Sequence, residues 1–415
     1  MTFNKIFNAC LCAPVFLTTI VAAQEPSFTP LGDIPGGSFF SRAMAISPDG
    51  TAVVGESVKT EPVRRAFLWT ADNGMIDLGA VIENHESHAL GASSGGRVVV
   101  GWTHNELHLP EAFIWTEAEG MVLLGGLPGS DPNSIANAVS ADGSVVVGRL
   151  RHPDGFEIAF RWTAVLGFHL VYDSQSGLLG NVARDVSGDG QMIAGILTDR
   201  SQTSAFRFVT GVGIETLGHL DGQWSNGRSV SFGGNFVVGD ADRAAPNEIA
   251  AFRWSEQSGM VDLGDAGPCE TPRNEGRGVS ADGVVVGSSR DSSCQSSAFL
   301  WTQDSGMRRL QDILVNDLDL DLTGWHLSSA TDISADGRSI VGFAINPNGD
   351  TEAWLAYLGP SCRADFNNDG VVNTLDVLSF LNAFAQESWT ADFNFDGTID
   401  TLDFLAYLNV FSEGC

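Results

Sequence analysis

The sequence predicts an all-β fold, a closed ring of seven four-stranded units, followed by a small helical appendage. Three observations carry this reading: a two-part phrase that returns seven times, a fourth-strand phrase placed ahead of the first unit, and two near-identical acidic loops at the end of 415 residues.

The repeated phrase begins as SPDGTAVVG at Ser47. It returns as SSGGRVVVG at Ser93, SADGSVVVG at Ser140, SGDGQMIAG at Ser187, SFGGNFVVG at Ser231, SADGVVVGS at Ser280 and SADGRSIVG at Ser334, at spacings of 46, 47, 47, 44, 49 and 54 residues. A second signature follows every copy: AFLWT at Ala66, AFIWT at Ala112, AFRWT at Ala159, AFRFV at Ala205, AFRWS at Ala251, AFLWT at Ala298 and AWLAY at Ala353. Each unit parses as four short strands, in the first RAMAIS, TAVVGES, AFLWT and GMIDLG. Asp-Gly after the first strand is a tight-hairpin signal. The third strand alternates aromatic and β-branched residues as a half-buried strand requires. Four strands in a repeat of about 40–50 residues is the period of propeller blades around a central axis.

The seventh unit stops after its third strand, at EAWLAYLG, whereas the expected mature N-terminus opens with the fourth-strand phrase FTPLGDIPGG at Phe28, ahead of any first strand. The N-terminal strand is therefore expected to complete the last blade and close the ring. The phrases resemble the extracellular HAF-repeat family over residues 28–358, including LQDILVNDLDLDLTGWHLSSATDISADG before the last unit. The family's first-position histidine is absent; Arg65, Glu111, Ile158, Ser204, Ala250, Ser297 and Glu352 stand there. The Ala-Phe portion then reads as a packing element. The resemblance implies an architecture and an extracellular location rather than an activity.

In such a unit the SxDG turn and the third-to-fourth turn are short and constant, whereas the other two connections vary and emerge on the opposite face. Variable loops on a rigid scaffold are where binding concentrates. His85, His88, His104 and His108 are expected in connections of the first two blades, with spacing that matches no zinc motif. Trp102, Phe156 and Trp224 either stack on sugars or belong to the core. No acid–base pair stands out among the many carboxylates. Cys269 and Cys294 both fall on the variable face and can pair as a loop staple.

The closing loops are DFNNDGVVNTLD and DFNFDGTIDTLD. The first places Asp365, Asn367, Asp369, Asn373 and Asp376 at calcium-loop positions one, three, five, nine and twelve, with the Val371 carbonyl at seven and Gly370 at the sharp turn. The second repeats this with Asp392, Asn394, Asp396, Thr398 through its backbone, Asp400 and Asp403. Two calcium ions are expected. Only the segments after each loop, TLDVLSFLNAF and TLDFLAYLNVF, look helical, with leucines 375, 378 and 381 and leucines 402, 405 and 408 at helical spacing. This twinned arrangement resembles the dockerin module, and the terminal Gly414-Cys415 resembles its GC-type subclass. The resemblance implies docking onto a cohesin-like partner through Thr374, Leu375, Leu381 and Asn382, mirrored by Thr401, Leu402, Leu408 and Asn409. A loop–helix pair brings its ends together, so Cys362 and Cys415 are expected to form a clasp, a free terminal thiol for surface anchoring being the rival.

Residues 1–23 read as a secretory signal, with Lys5, an apolar stretch and Val21-Ala22-Ala23 before Gln24. Residues 24–360 are assigned to the propeller and 361–415 to the calcium module. The formal charge of −29 disfavours nucleic acid and anionic lipid and favours metal cations. No later stretch has the apolar length of a membrane helix. The sum is a secreted, cell-surface-associated bacterial protein with a non-catalytic role, its propeller binding a glycan or protein. The alternative is a carbohydrate-active hydrolase or lyase delivered by the module for polysaccharide breakdown.

Overall fold

A computed structural model describes residues 25–175, 177–199, 202–245, 248–290, 293–360, 363–367 and 371–414, without the side chains of residues 199 and 413. Residues 1–24, which include the expected signal, and Cys362, Asp369, Gly370 and Cys415 lie outside the described residues.

Seven four-stranded antiparallel sheets are arranged as the repeat predicts. Blade one comprises Ser41–Ile46, Ala52–Thr60, Val63–Thr70 and Gly74–Asp77, paired in that order. Blade seven comprises His326–Ile333, Ser339–Ile345 and Thr351–Tyr357, and its fourth strand is Ser27–Pro30 from the start of the chain. Phe28 lies opposite Ala356 and packs edge-on to Trp325 at 5.1 Å. The ring is closed by its own N-terminus.

The repeated letters follow from local geometry. In each blade the inner strand carries a bulge where it pairs with the second strand, for example between Ala43 and Ala45. The bulge pushes a carbonyl against the glycine that ends VVG. A Cβ on Gly55 would sit 2.0 Å from the Arg42 carbonyl oxygen, and one on Gly342 at 2.0 Å from that of Ser329. The phenylalanine of the second signature fills the space over that glycine; Phe67, Phe113, Phe160, Phe206, Phe252 and Phe299 are fully buried, and Trp354 takes the place in blade seven. Glycine and aromatic are one device for close strand approach.

The turn serine is equally constrained. Ser47 donates to Asp49 at 2.6 Å and accepts from the Ala52 amide at 2.9 Å, while Gly50 takes a positive φ of 75°. Ser140, Ser187 and Ser334 repeat the pattern with Asp142, Asp189 and Asp336. A self-satisfied hairpin accounts for the motif.

Neighbouring blades are tied by the serine that opens the inner strand. The Ala66 amide donates to Ser87 Oγ at 3.0 Å, and the link recurs from Ala112 to Ser134 and from Ala205 to Ser225. From Ala353 to Ser41 it crosses the ring junction at 3.0 Å.

After Leu358-Gly359-Pro360 the chain enters the small module. Its two helices, Thr374–Ala385 and Thr401–Glu413, each begin with a capping box, Asn373 with Asp376 and Asp400 with Asp403. The module's core is aromatic: Phe366, Phe380, Phe393 and Tyr407 converge, with Phe380 and Tyr407 stacked at 4.4 Å. The leucine stripes stay outside this core. Leu375, Leu378, Leu402 and Leu405 are each more than half exposed and Leu381 is 39% exposed.

Candidate functional site

The second acidic loop folds around its own oxygens. Asp392 accepts from the amides of Asp396 at 3.1 Å and Gly397 at 2.9 Å. Asn394 Oδ1 accepts from the Asp396 amide at 2.9 Å, and Asp396 accepts from both the amide and the hydroxyl of Thr398. From the helix side, Asp403 accepts from Phe393 at 2.7 Å, Asn394 at 3.1 Å and Asp400 at 2.8 Å, so it spans the loop from end to end. Asp400 caps the helix through the Leu402 amide.

These carboxylates crowd one another. Burial, then the charges of Asp403 and Asp396, push the Asp392 carboxyl up to about 7, and burial also raises Asp403. A divalent cation among such groups reverses that pressure, and an all-oxygen donor set suits a hard cation. The residues fit calcium. In the first loop Asp376 accepts from Asn367 at 3.1 Å and Asn373 at 2.8 Å, the counterparts of the Asp403 bonds. These backbone donors, the Asn373 amide foremost, hold Asp376 below the usual carboxylate range. Asp365 and Val371 lie in the same loop, while Asp369 is outside the described residues.

The module rests on the turn face of the ring. Phe395, in the second loop, packs on Ala141, Phe232, Ala281 and Ala335, the residues following the turn serines of blades three, five, six and seven. Trp389 joins this cluster, and Ser94 Oγ donates to the Phe395 carbonyl oxygen. Arg363 stacks on the rings of Phe393 and Phe395 and donates to the Phe393 carbonyl oxygen at 2.7 Å. The exposed faces of the helices hold Thr374, Leu375, Leu381 and Asn382 and, on the second helix, Thr401, Leu402 and Asn409; Leu408 is half-buried.

The opposite face of the ring carries the variable loops. Cys269 and Cys294 are joined there by a disulfide, with Cα atoms 5.4 Å apart. The histidines require a correction. His88 does not lie in a connection but in the inner strand of blade two (Ser87–Ala92), buried, with Nδ1 2.5 Å from Glu56. Its place is the inward-facing strand position that precedes Ala89. Burial works to raise Glu56, but His88 and the charges of Arg64 and Arg42 outweigh it and hold the carboxyl low. His104 likewise ends a strand, Val99–His104. Trp102 lies between them, stacked on His88 at 4.2 Å and edge-on to His104 at 5.4 Å. His85 and His108 stack in the adjoining loops at 4.8 Å. Among the described residues no group of three or more His, Cys, Asp or Glu side chains is drawn together round a metal position, neither at these histidines nor in the second acidic loop, where backbone amides take up the Asp392 and Asp403 carboxylates and the fit to calcium rests on the donor types and their order. Phe156 is exposed and stacks on His152 at 4.5 Å, whereas Trp224 is half-buried.

A cavity of about 190 Å³ lies on the ring axis. Two carboxyls line it, Asp185 and Asp332, but both are occupied in fastening blades. Asp332 accepts from the amides of Ile46 and Ile333, and Asp185 from those of Val186 and Val230 and from the Ser229 hydroxyl. Burial raises both, Asp332 to about 7. Neither is free to serve as an acid–base pair.

Residues 363–411 match the family described as Dockerin type I domain. None of the curated proteins compared matches the chain. Among solved structures, a puromycin hydrolase aligns with a TM-score of 0.52 at 12% identity, over 77% of this chain and 54% of that one. An oligogalacturonate lyase in complex with manganese gives 0.48 at 11%, over 81% and 97%. TolB from Acinetobacter baumannii gives 0.45 at 10%, over 63% of each chain. At these identities the likeness is one of fold alone. The chain is a seven-bladed propeller that ends in a dockerin type I domain, and dockerin domains bind calcium.

Proposed function

We propose that this propeller with its dockerin domain is an exported, non-catalytic binding and assembly protein. The module takes two calcium ions, one through Asp365, Asn367, Asp369, Val371, Asn373 and Asp376 and one through Asp392, Asn394, Asp396, Thr398, Asp400 and Asp403. Loaded, it docks onto a cohesin-like partner through the exposed faces of its helices, around Leu375 and Leu402. The ring then presents its variable face, with Trp102 and Phe156, to a glycan or protein. Cys362 and Cys415 clasp the ends of the module, which mass mapping of the non-reduced protein tests by the Cys362–Cys415 peptide.

One observation carries this reading. The module meets the ring through Phe395 of its second loop and Trp389 just before that loop, so the leucine-bearing helix faces and the variable loops of the ring are both left uncovered. A hydrolase or lyase reading has less support, because the carboxyls at the axis are committed to backbone amides.

The test is calorimetry of the full chain against a panel of type I cohesins, with calcium and with chelator. Calcium-dependent binding that is lost in the Leu375→Glu, Leu402→Glu double variant supports the reading. A panel without any binder, or binding indifferent to both calcium and the double variant, overturns the docking role.

A further inference from the structure

The axial cavity is lined by the residue three places before each turn serine. Blades one, two, three and seven put Met44, Leu90, Asn137 and Thr331 there, which are apolar or neutral. Blades four, five and six put Arg184, Arg228 and Arg277 there, three guanidinium groups on consecutive walls. In a chain of net charge −29 this is a local inversion of sign.

The three arginines are not equally neutralised. Arg228 pairs with Asp240 and lies 3.4 Å from Glu275, and Arg277 pairs with Glu275 at 2.6 Å. Arg184 has no carboxylate within ion-pair distance among the described residues, and its buried Nε has no hydrogen-bond partner. Desolvation, then the charges of Arg228 and Arg149, lower its pKa and outweigh the opposing charge of Asp240, which is spent on Arg228. The two carboxyls facing the cavity give little relief. Asp185 and Asp332 are raised by burial, and their oxygens are filled by amides and a hydroxyl.

We infer that this cavity is a binding site for a small oxyanion, held by Arg184 with Arg228 and Arg277 beside it. Guanidinium groups recognise the paired oxygens of a carboxylate, phosphate or sulfate bidentately, and they do so most strongly out of water. The cavity holds several times the volume that one water needs, which admits a single acidic group or one acidic sugar. The variable face and the dockerin domain play no part in this assignment.

The test is titration calorimetry of the full chain with inorganic sulfate, D-glucuronate and, as the neutral counterpart, D-glucose. Sulfate and glucuronate distinguish an inorganic from a sugar-borne oxyanion. At least one of them binds at one per chain with a Kd in the millimolar range or tighter, and glucose does not. Arg184→Gln weakens that binding at least about tenfold, because a charged bidentate partner is lost. Leu90→Glu places a carboxylate in the cavity at a half-buried position and abolishes binding while the melting temperature stays near that of the wild type. The inference is overturned if neither anion binds, if glucose binds as well as glucuronate, or if folded Arg184→Gln or Leu90→Glu protein binds like the wild type. Should Arg184→Gln fail to fold, Leu90→Glu and the glucuronate–glucose contrast still decide.

Discussion

The ring of Phe395 meets the ring of Phe232 edge-on, with centroids 5.1 Å apart, and joins the second acidic loop to the turn of blade five. Phe395 holds a positive φ of 55° and is only 8% exposed. A loop residue buried against another domain marks a committed interface. Phe395→Ala should therefore detach the module, at a cost of about 2 kcal/mol of contact. Small-angle scattering should show a longer particle, with the propeller's melting temperature nearly unchanged. An unaltered profile would refute the packing.

Asp403 gathers three loop amides, so Asp403→Ala leaves them without their acceptor and at once removes a carboxylate from the proposed calcium ligands. The expected loss is about 3 kcal/mol in the module. Calorimetry should count one calcium site fewer than in the wild type. Chelator should lower helical circular dichroism in both proteins, since the loop carboxylates repel one another without the ion. Helical signal indifferent to calcium would contradict this.

Removing residues 28–34 takes away the strand that completes blade seven and exposes the edge of Thr351–Tyr357. It also uncovers Trp325 and Trp354, which Phe28 covers. The truncated ring should melt well below the full chain and aggregate on heating. An equal melting temperature would count against closure by this strand.

Asp332 gives the ring a pH dependence of definite sign. Its folded value is raised by burial to about 7 from 3.8, so the folded state keeps the proton that the unfolded state releases. The stabilisation is complete below 3.8 and is lost as pH rises toward about 7. Asp332→Asn cannot ionise, and its melting temperature should fall less than that of the wild type over that window. Parallel pH profiles would show that Asp332 does not titrate there.

Much of the fold was legible because repetition multiplies weak signals. One such turn means little, but seven serine-glycine turns at near-constant spacing, five of them SxDG and six followed by Ala-Phe with Ala-Trp in the seventh, fix strand order, blade number and the role of the N-terminal strand. The helices after each acidic loop were legible for a related reason, since Asn373 and Asp400 are capping residues as well as loop positions. What the sequence concealed depends on contacts between distant segments. His88 and His104 read as loop residues because strand ends are poorly marked where polar residues sit inside a blade. Phe395 looked like one more loop residue; its burial depends on a hub formed by blades three, five, six and seven. The signal for the axial arginines was present, as the third residue before each turn serine, but only the ring brings Arg184, Arg228 and Arg277 to one wall.

The junction of Ser27–Pro30 with Thr351–Tyr357 has a mechanical consequence. A tethered dockerin pulls on the ring through the few residues after Tyr357, so tension enters at the strand Thr351–Tyr357. That strand is flanked on both sides, by Ser339–Ile345 and by the N-terminal strand. Without the N-terminal strand it would be an edge, free to peel from one side under load. With it, the same pull must shear two ladders together, along with the Gly32 amide bonded to Glu352 at 3.2 Å and the Ala353 amide bonded to Ser41. The strand Ser27–Pro30 thus acts as a strain relief for the dockerin domain, and a ring loaded through that domain resists unzipping at the junction.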